Sequence, residues 1–242
     1  MSQLIYTAFV SLDGVVEAPG GEPGYRNTGW TFAVDFDEDV YGLKAREQDE
    51  AGAMMLGRVS YQAFSAVWPQ MDDEFPRYNA MPKYVVSTTL AEGDLVEGWG
   101  TTTILRSLDE VAAAKEAERA PILVHGSATL ARNLSDAGLI DRYHLLVFPI
   151  VLGAGKRMWS DTDKPRQKLE LVESEAYPNG VQKVIYDVGG FDPDVCAIGQ
   201  LEFRRVRHWP GGVPTCVPGM DQTSGASLRG PGIQHAQDEG GA

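Results

Sequence analysis

Cysteine is scarce in this chain: 242 residues contain two, Cys196 and Cys216. Both lie beyond the regularly patterned part, so neither a disulfide framework nor a cysteine-based metal site is expected. Histidine is almost as rare. The four present, His125, His144, His208 and His235, show none of the spacings that bind zinc, and His144 falls in an apolar run where it reads as a core residue. Basic charge is the minority sign, with 21 Lys and Arg against 34 Asp and Glu and a formal net charge of -13. That balance argues against nucleic acid or an anionic membrane as partner, since both reward a basic surface. Long hydrophobic runs are missing too. The stretch from Leu145 to Ala154 is interrupted by Pro149 and falls well short of the roughly 20 residues that span a bilayer. The opening Met1-Ser2-Gln3 carries no basic signal-peptide region, so a cytoplasmic location is the expectation.

What the chain has in quantity is alternation. Leu4 to Val10 is a short run of β-formers ending in the turn Ser11-Leu12-Asp13-Gly14. Glu17 to Gly29 is irregular and rich in Gly, Pro and Asn, long enough to serve as a lid or binding loop, with Trp30 and Phe32 expected to anchor its far end. A helix is expected over Asp35 to Asp49, with Val40, Leu43 and Ala51 on one stripe, then a buried strand at Ala53–Leu56. Ser60 is expected to cap a helix that runs through Trp68 to Pro69. Strands at Lys83–Ser87 and Thr102–Leu105, a capping box at Ser107-Leu108-Asp109-Glu110, a strand at Pro121–Val124, a helix at Thr129–Ala137 and a strand at Tyr143–Ile150 continue the pattern. Leu169–Tyr177 and Val181–Val188 flank Pro178-Asn179-Gly180 and read as a hairpin. The fold class is therefore α/β: a mixed, mostly parallel sheet with a C-terminal antiparallel hairpin and helices on both faces. Residues 1–188 form the expected domain. Residues 189–242, dominated by Gly, Pro, Gln, Asp and Ser, read as a disordered tail in which Gln200–Val206 alone has strand character.

Two stretches carry the chemistry. Met54-Met55-Leu56-Gly57-Arg58-Val59-Ser60-Tyr61 and Leu123-Val124-His125-Gly126-Ser127-Ala128-Thr129-Leu130 each read as a buried strand entering a small-residue turn that opens a helix. Backbone N–H groups and the helix dipole hold phosphate at such turns. In the first, Gly57 lets the backbone approach an anion, Ser60 offers a hydroxyl and Arg58 a two-pronged cation. In the second, Gly126, Ser127, Ala128 and Thr129 repeat the arrangement without the three-glycine dinucleotide fingerprint, and neither is a Walker loop. Either turn alone reads equally well as ordinary helix capping; two together point to a cofactor with more than one phosphate. Ser87 and Thr88 end a strand in hydroxyls suited to a ribose or its phosphate. Leu152-Gly153-Ala154-Gly155-Lys156-Arg157 joins a Gly-rich loop to two cations. Asp13, Asp35, Asp37 and Asp39 are the acids nearest the loop and first helix, where a carboxylate can pass a proton to a substrate nitrogen.

In order, Ser11-Leu12-Asp13-Gly14, Leu56-Gly57-Arg58 with Ser60-Tyr61, Val86-Ser87, Gly126-Ser127-Ala128-Thr129-Leu130, Gly138-Leu139-Ile140-Asp141 and Pro149-Ile150-Val151-Leu152-Gly153-Ala154-Gly155 resemble the dihydrofolate reductase-like family. The branch is that of the C-terminal reductase domain of the bifunctional riboflavin biosynthesis protein, and the resemblance covers residues 2–188. It implies a three-layer dihydrofolate reductase-like fold, an NADPH cofactor, a homodimer, and hydride transfer to a C=N or C=O bond of a heterocyclic or ribosyl small molecule. It assigns cofactor phosphates to Gly57, Arg58 and Ser60, the adenosine ribose phosphate to Ser87 and Thr88, and the pyrophosphate to Gly126, Ser127 and Ala128 beside Thr129.

Three departures narrow the substrate. His125-Gly126-Ser127 stands where the family has adjacent glycines; Val15 replaces a lysine usual in the riboflavin-pathway reductases; and Gln62-Ala63-Phe64 replaces their Asn-Pro segment. The sequence thus points to an NADPH-dependent reductase with Asp37 and Asp39 as catalytic candidates and Asp13, Lys156 and Arg157 as substrate contacts. Two alternatives stand beside it. One is 5-amino-6-(5-phosphoribosylamino)uracil reductase of riboflavin biosynthesis, and the other a non-catalytic nucleotide-binding or assembly module.

Overall fold

The computed structural model describes residues 2–161 and 167–189; the expectations for the tail, including Gln200–Val206, lie outside the described residues. Eight strands form one sheet: β1 (Leu4–Ser11), β2 (Ala53–Gly57), β3 (Lys83–Val86), β4 (Thr102–Leu105), β5 (Ile122–His125), β6 (Arg142–Phe148), β7 (Leu169–Ala176) and β8 (Gln182–Val188). Their order is β4-β3-β2-β5-β1-β6-β8-β7. The first six run parallel; β8 lies antiparallel to β6, and β7 pairs antiparallel with β8 at the edge. The expected hairpin is a three-residue connection: Tyr177 N–H donates to Val181 O at 2.9 Å, and Gly180, at φ +85°, closes it in the left-handed region.

Alternation along β1 divides the core. Leu4, Tyr6, Ala8 and Val10 face α4 (Leu108–Ala117) and α5 (Ala128–Asp136), which contribute Val111, Leu130 and Leu134. Ile5 and Phe9 face the other side. There α1 (Glu38–Glu50) contributes Val40 and Leu43, α2 (Arg58–Ser65) contributes Tyr61, and α3 (Pro76–Ala80) contributes Tyr78.

Four expectations change at their edges. The first helix begins at Glu38, because Asp37 is extended and its carboxylate accepts the Asp39 N–H at 3.0 Å. Ser60 is not an N-cap: α2 starts two residues earlier, at Arg58, with Gly57 as its uncapped flank. That helix ends at Ser65 rather than reaching Trp68, and Trp68–Met71 forms a separate 3-10 turn containing Pro69. In the loop, Trp30 is buried and its indole donates to Glu17 O at 2.8 Å, whereas Phe32 is 74% exposed and anchors nothing in the core. Gly29 N–H to Ala18 O at 2.9 Å and Thr31 Oγ1 to Pro19 O at 2.7 Å close residues 17–31 on themselves.

Candidate active site

β5 is inserted between β1 and β2, so the turns that follow β2 and β5 emerge side by side although 69 positions separate their glycines. They are bonded to each other. The Gly57 N–H donates to Ser127 Oγ at 2.9 Å, and the Ser127 N–H donates to Ser60 Oγ at 3.1 Å. Gly126 and Ser127 are both left-handed, at φ +61° and +56°, and all peptide bonds here are trans. A left-handed serine costs about 1–2 kcal/mol, which its two hydrogen bonds offset.

This clamp leaves both helix N-termini without a side-chain cap. Their first-turn N–H groups lack the usual hydroxyl or carboxylate, the arrangement that leaves them available to an anion beside the two bonded turns. Arg58 is exposed there, donating to Gln62 Oε1 at 3.0 Å. Thr129 is exposed and Ala128 buried in the first turn of α5. On the neighbouring strand Ser87 spends its hydroxyl on the N–H groups of Thr89 and Leu90, at 3.2 and 2.9 Å, leaving Thr88 exposed on a fixed turn.

His125, the last residue of β5, packs its ring against Phe64 and Tyr78, with centroids 5.4 and 5.9 Å away. Its Nδ1 shares a 2.9 Å hydrogen bond with the Tyr78 hydroxyl. Burial, then the Lys44 charge, push the imidazole down to about 4 against the opposing pull of Glu47, so it is neutral at pH 7. Burial and the Glu47 charge push the Tyr78 phenol well up.

Deeper under α1 lies a polar cluster that pattern reading missed. Glu47 is 4% exposed and accepts from Thr7 Oγ1 at 2.6 Å, Lys44 Nζ at 3.2 Å and His144 Nδ1 at 2.9 Å; Lys44 also donates to Thr7 Oγ1. Burial pushes its carboxyl up, but Lys44 and the hydrogen bonds from His144 and Thr7 outweigh that and hold it at about 2. The signal was present, because Val40, Leu43, Glu47 and Ala51 share the buried stripe.

The remaining candidates are brought together but largely occupied. The Asp13 carboxylate accepts from Ser11 Oγ (2.7 Å), Leu152 N–H (3.1 Å) and Gly153 N–H (2.8 Å). Arg157 donates to the carbonyls of Asp13 and Gly153, and Lys156 pairs with Glu17 at 3.2 Å. These three residues fasten the 152–157 loop to the β1 turn. Asp39 is exposed beyond its capped turn and lines, with Arg46, Glu175 and Lys183, a cavity of about 300 Å3 between α1 and the β7–β8 hairpin. None of the turn residues lines it.

Residues 2–183 match the RibD C-terminal domain family. The chain belongs to that family. It is 27% identical over 194 residues to YyaP of Bacillus subtilis (strain 168), an uncharacterized protein, covering 78% of this chain and 96% of that one. A candidate riboflavin biosynthesis protein from Shewanella sp. PV-4 superposes with a TM-score of 0.60 at 19% identity, over 78% of this chain and 99% of the other. RibD of Acinetobacter baumannii gives 0.54 at 13% identity, over 78% of this chain and 59% of that one. At such identities the structural likenesses speak to the fold, which is that of the RibD C-terminal domain.

Proposed function

We propose that the protein is an NADPH-dependent reductase acting on a C=N or C=O bond of a small heterocyclic or ribosyl compound. The observation that carries this is the Gly57–Ser127–Ser60 clamp, which holds two uncapped helix N-termini at one point on the C-terminal edge of the sheet. A pyrophosphate fits there: Gly57, Gly126 and Ser127 supply close backbone, Ala128 and Thr129 first-turn N–H groups, Arg58 a guanidinium, and Ser87 with Thr88 the fixed turn beneath a ribose. The bound nicotinamide would supply the hydride. Residues 17–33, closed on themselves through Trp30, shield the reacting bond from water. The Asp37 carboxylate caps α1, and the Tyr78–His125 pair closes the buried side of the pyrophosphate turn. Asp13, Lys156 and Arg157 keep the loop beside the substrate in shape.

Family membership and the relatives' names support a riboflavin-pathway substrate as the second reading. Against it, Lys156 and Arg157, the cations available for a ribose phosphate, are already engaged with Glu17 and Asp13. Action as a cytoplasmic homodimer is part of the proposal; among the described residues no helix is long and apolar enough to cross a membrane. Fluorescence titration with NADPH tests the reading. Saturable binding weakened by Arg58→Ala is expected, and no binding by the unmutated protein would overturn it.

A further inference from the structure

Strand register puts His125, Thr7 and His144 in one row across β5, β1 and β6, and Gly126 of the clamp directly follows His125. Lys44 reaches down from α1 onto the middle of that row. Its ammonium donates to Thr7 Oγ1 and, at 3.2 Å, to Glu47 Oε2, and it lies 5.0 Å from the centroid of the Phe9 ring. An ammonium carries three donors; among the described residues two find an acceptor, and 13% of the side chain meets solvent. The carboxylates at this end of the sheet are taken up instead. Asp13 is held by Ser11 and two loop N–H groups, Glu17 by Lys156, and Glu47 by Thr7, Lys44 and His144. A buried ionic cluster is less favourable than an apolar stripe of the same volume. The effect of this one is to fix a single cation with a donor to spare.

Beside that cation stands an aromatic wall. Tyr41, one turn before Lys44 on α1, has its ring centroid 6.0 Å from that of Phe9, and Phe36 stacks on Tyr41 with centroids 5.3 Å apart. Phe9, Tyr41 and Lys44 are each half-buried, so none is sealed in the core. Phe9 connects through Phe148 to Trp30, the anchor of the closed loop, with centroids 5.6 and 5.5 Å apart. The wall therefore lies between the loop and the row that starts at the clamp. We propose that Lys44 reads the substrate here: a flat, uncharged heterocycle lies against Phe9 and Tyr41, and a ring carbonyl oxygen accepts a hydrogen bond from the Lys44 ammonium. The same charge repels rings that are already cationic. Calling the ligand a substrate rests on the reductase reading of the preceding subsection; the site adds three residues that no sequence motif singled out.

Fluorescence titration of the full chain with lumazine, a flat uncharged dione, and with 1-methylquinolinium, a flat cation, tests it, and NADPH is titrated alongside. Lys44→Met removes the ammonium, and Lys44→Met paired with Glu47→Met removes it without leaving the carboxylate alone; thermal melting checks that each is folded. Saturable lumazine binding is expected, with the quinolinium bound more weakly. A hydrogen bond from a charged group corresponds to about tenfold or more in affinity, so the lumazine Kd is expected to rise by that factor in both variants while the NADPH Kd stays within about twofold. Tyr41→Leu removes a stacking face and is expected to raise the lumazine Kd about fivefold. An unchanged lumazine Kd in the folded variants, equal weakening of NADPH, or a quinolinium bound as tightly as lumazine overturns the role of Lys44. A protein that binds NADPH but not lumazine overturns the ring site and leaves the reductase reading intact. One that binds lumazine but not NADPH overturns the reductase reading and leaves the ring site.

Discussion

Ser127 Oγ accepts the backbone N–H of Gly57 at 2.9 Å, joining the ends of two strands that lie 70 residues apart in sequence. One side chain thus fixes the distance between the two helix N-termini from which the candidate cofactor site is built. Its reach depends on the left-handed backbone at φ +56°.

Ser127→Gly and Ser127→Ala both remove that hydroxyl but differ in backbone cost. Glycine occupies the left-handed region freely, and alanine does not. Both variants are expected to lose about tenfold in NADPH affinity through the loosened clamp. The alanine form should be the less stable by about 1 kcal/mol, or roughly 2–4 °C in Tm for a domain of this size. Equal melting temperatures would show that the turn relaxes out of the left-handed region.

Acid sensitivity should come in two steps. The His125 imidazole is lowered in the fold from its ordinary 6.5 to about 4, so between these values the unfolded chain binds the extra proton. Stability is then fully present above about pH 6.5 and falls toward pH 4. Glu47 is lowered from 4.5 to about 2, and its contribution is present above pH 4.5 and lost as pH falls through 2. Urea unfolding measured across pH 2–8 should show both declines. His125→Phe should remove the upper one, and Glu47→Gln should shrink the lower, to which Asp13 also contributes.

At neutral pH, Glu47→Ala leaves half-buried Lys44 and buried His144 without their shared acceptor. A loss of about 3 kcal/mol or more is expected, as for other broken buried pairs. The paired replacement Lys44→Met with Glu47→Met should recover much of it. A single variant with unchanged urea midpoint would mean the cluster is wetter than the 3% and 4% exposures of His144 and Glu47 indicate.

Asp13→Ala removes the acceptor for Leu152 and Gly153 and for Ser11. Loss of about 1–3 kcal/mol is expected, together with faster proteolysis within Gly153–Gly155. The same carboxyl, raised by burial but lowered more by those hydrogen bonds to about 2, keeps its stabilising effect above about pH 4. An unchanged cleavage pattern would place the fastening elsewhere, in Arg157.

Legibility followed the range of the interactions. The strand ending at Gly57 and the Pro178-Asn179-Gly180 hairpin were readable because alternation and turn chemistry are local. Ser60 was misassigned as a cap for a physical reason: a hydroxyl before an apolar helix satisfies the capping pattern, but its partner is the Ser127 N–H, 67 residues away. Glu47 escaped notice because a carboxylate in a helix reads as solvated until Thr7 and His144, from two other strands, are seen around it.

The sequence by itself determined the order of strands and helices, the two small-residue turns and the acidic balance, since each is written in spacing and composition. Only the tertiary structure decided which of those pieces meet. Placing β5 between β1 and β2 turned two separate glycine turns into one hydrogen-bonded clamp. Backbone pairing across a sheet is non-local, so the partner of each turn is chosen by strand order.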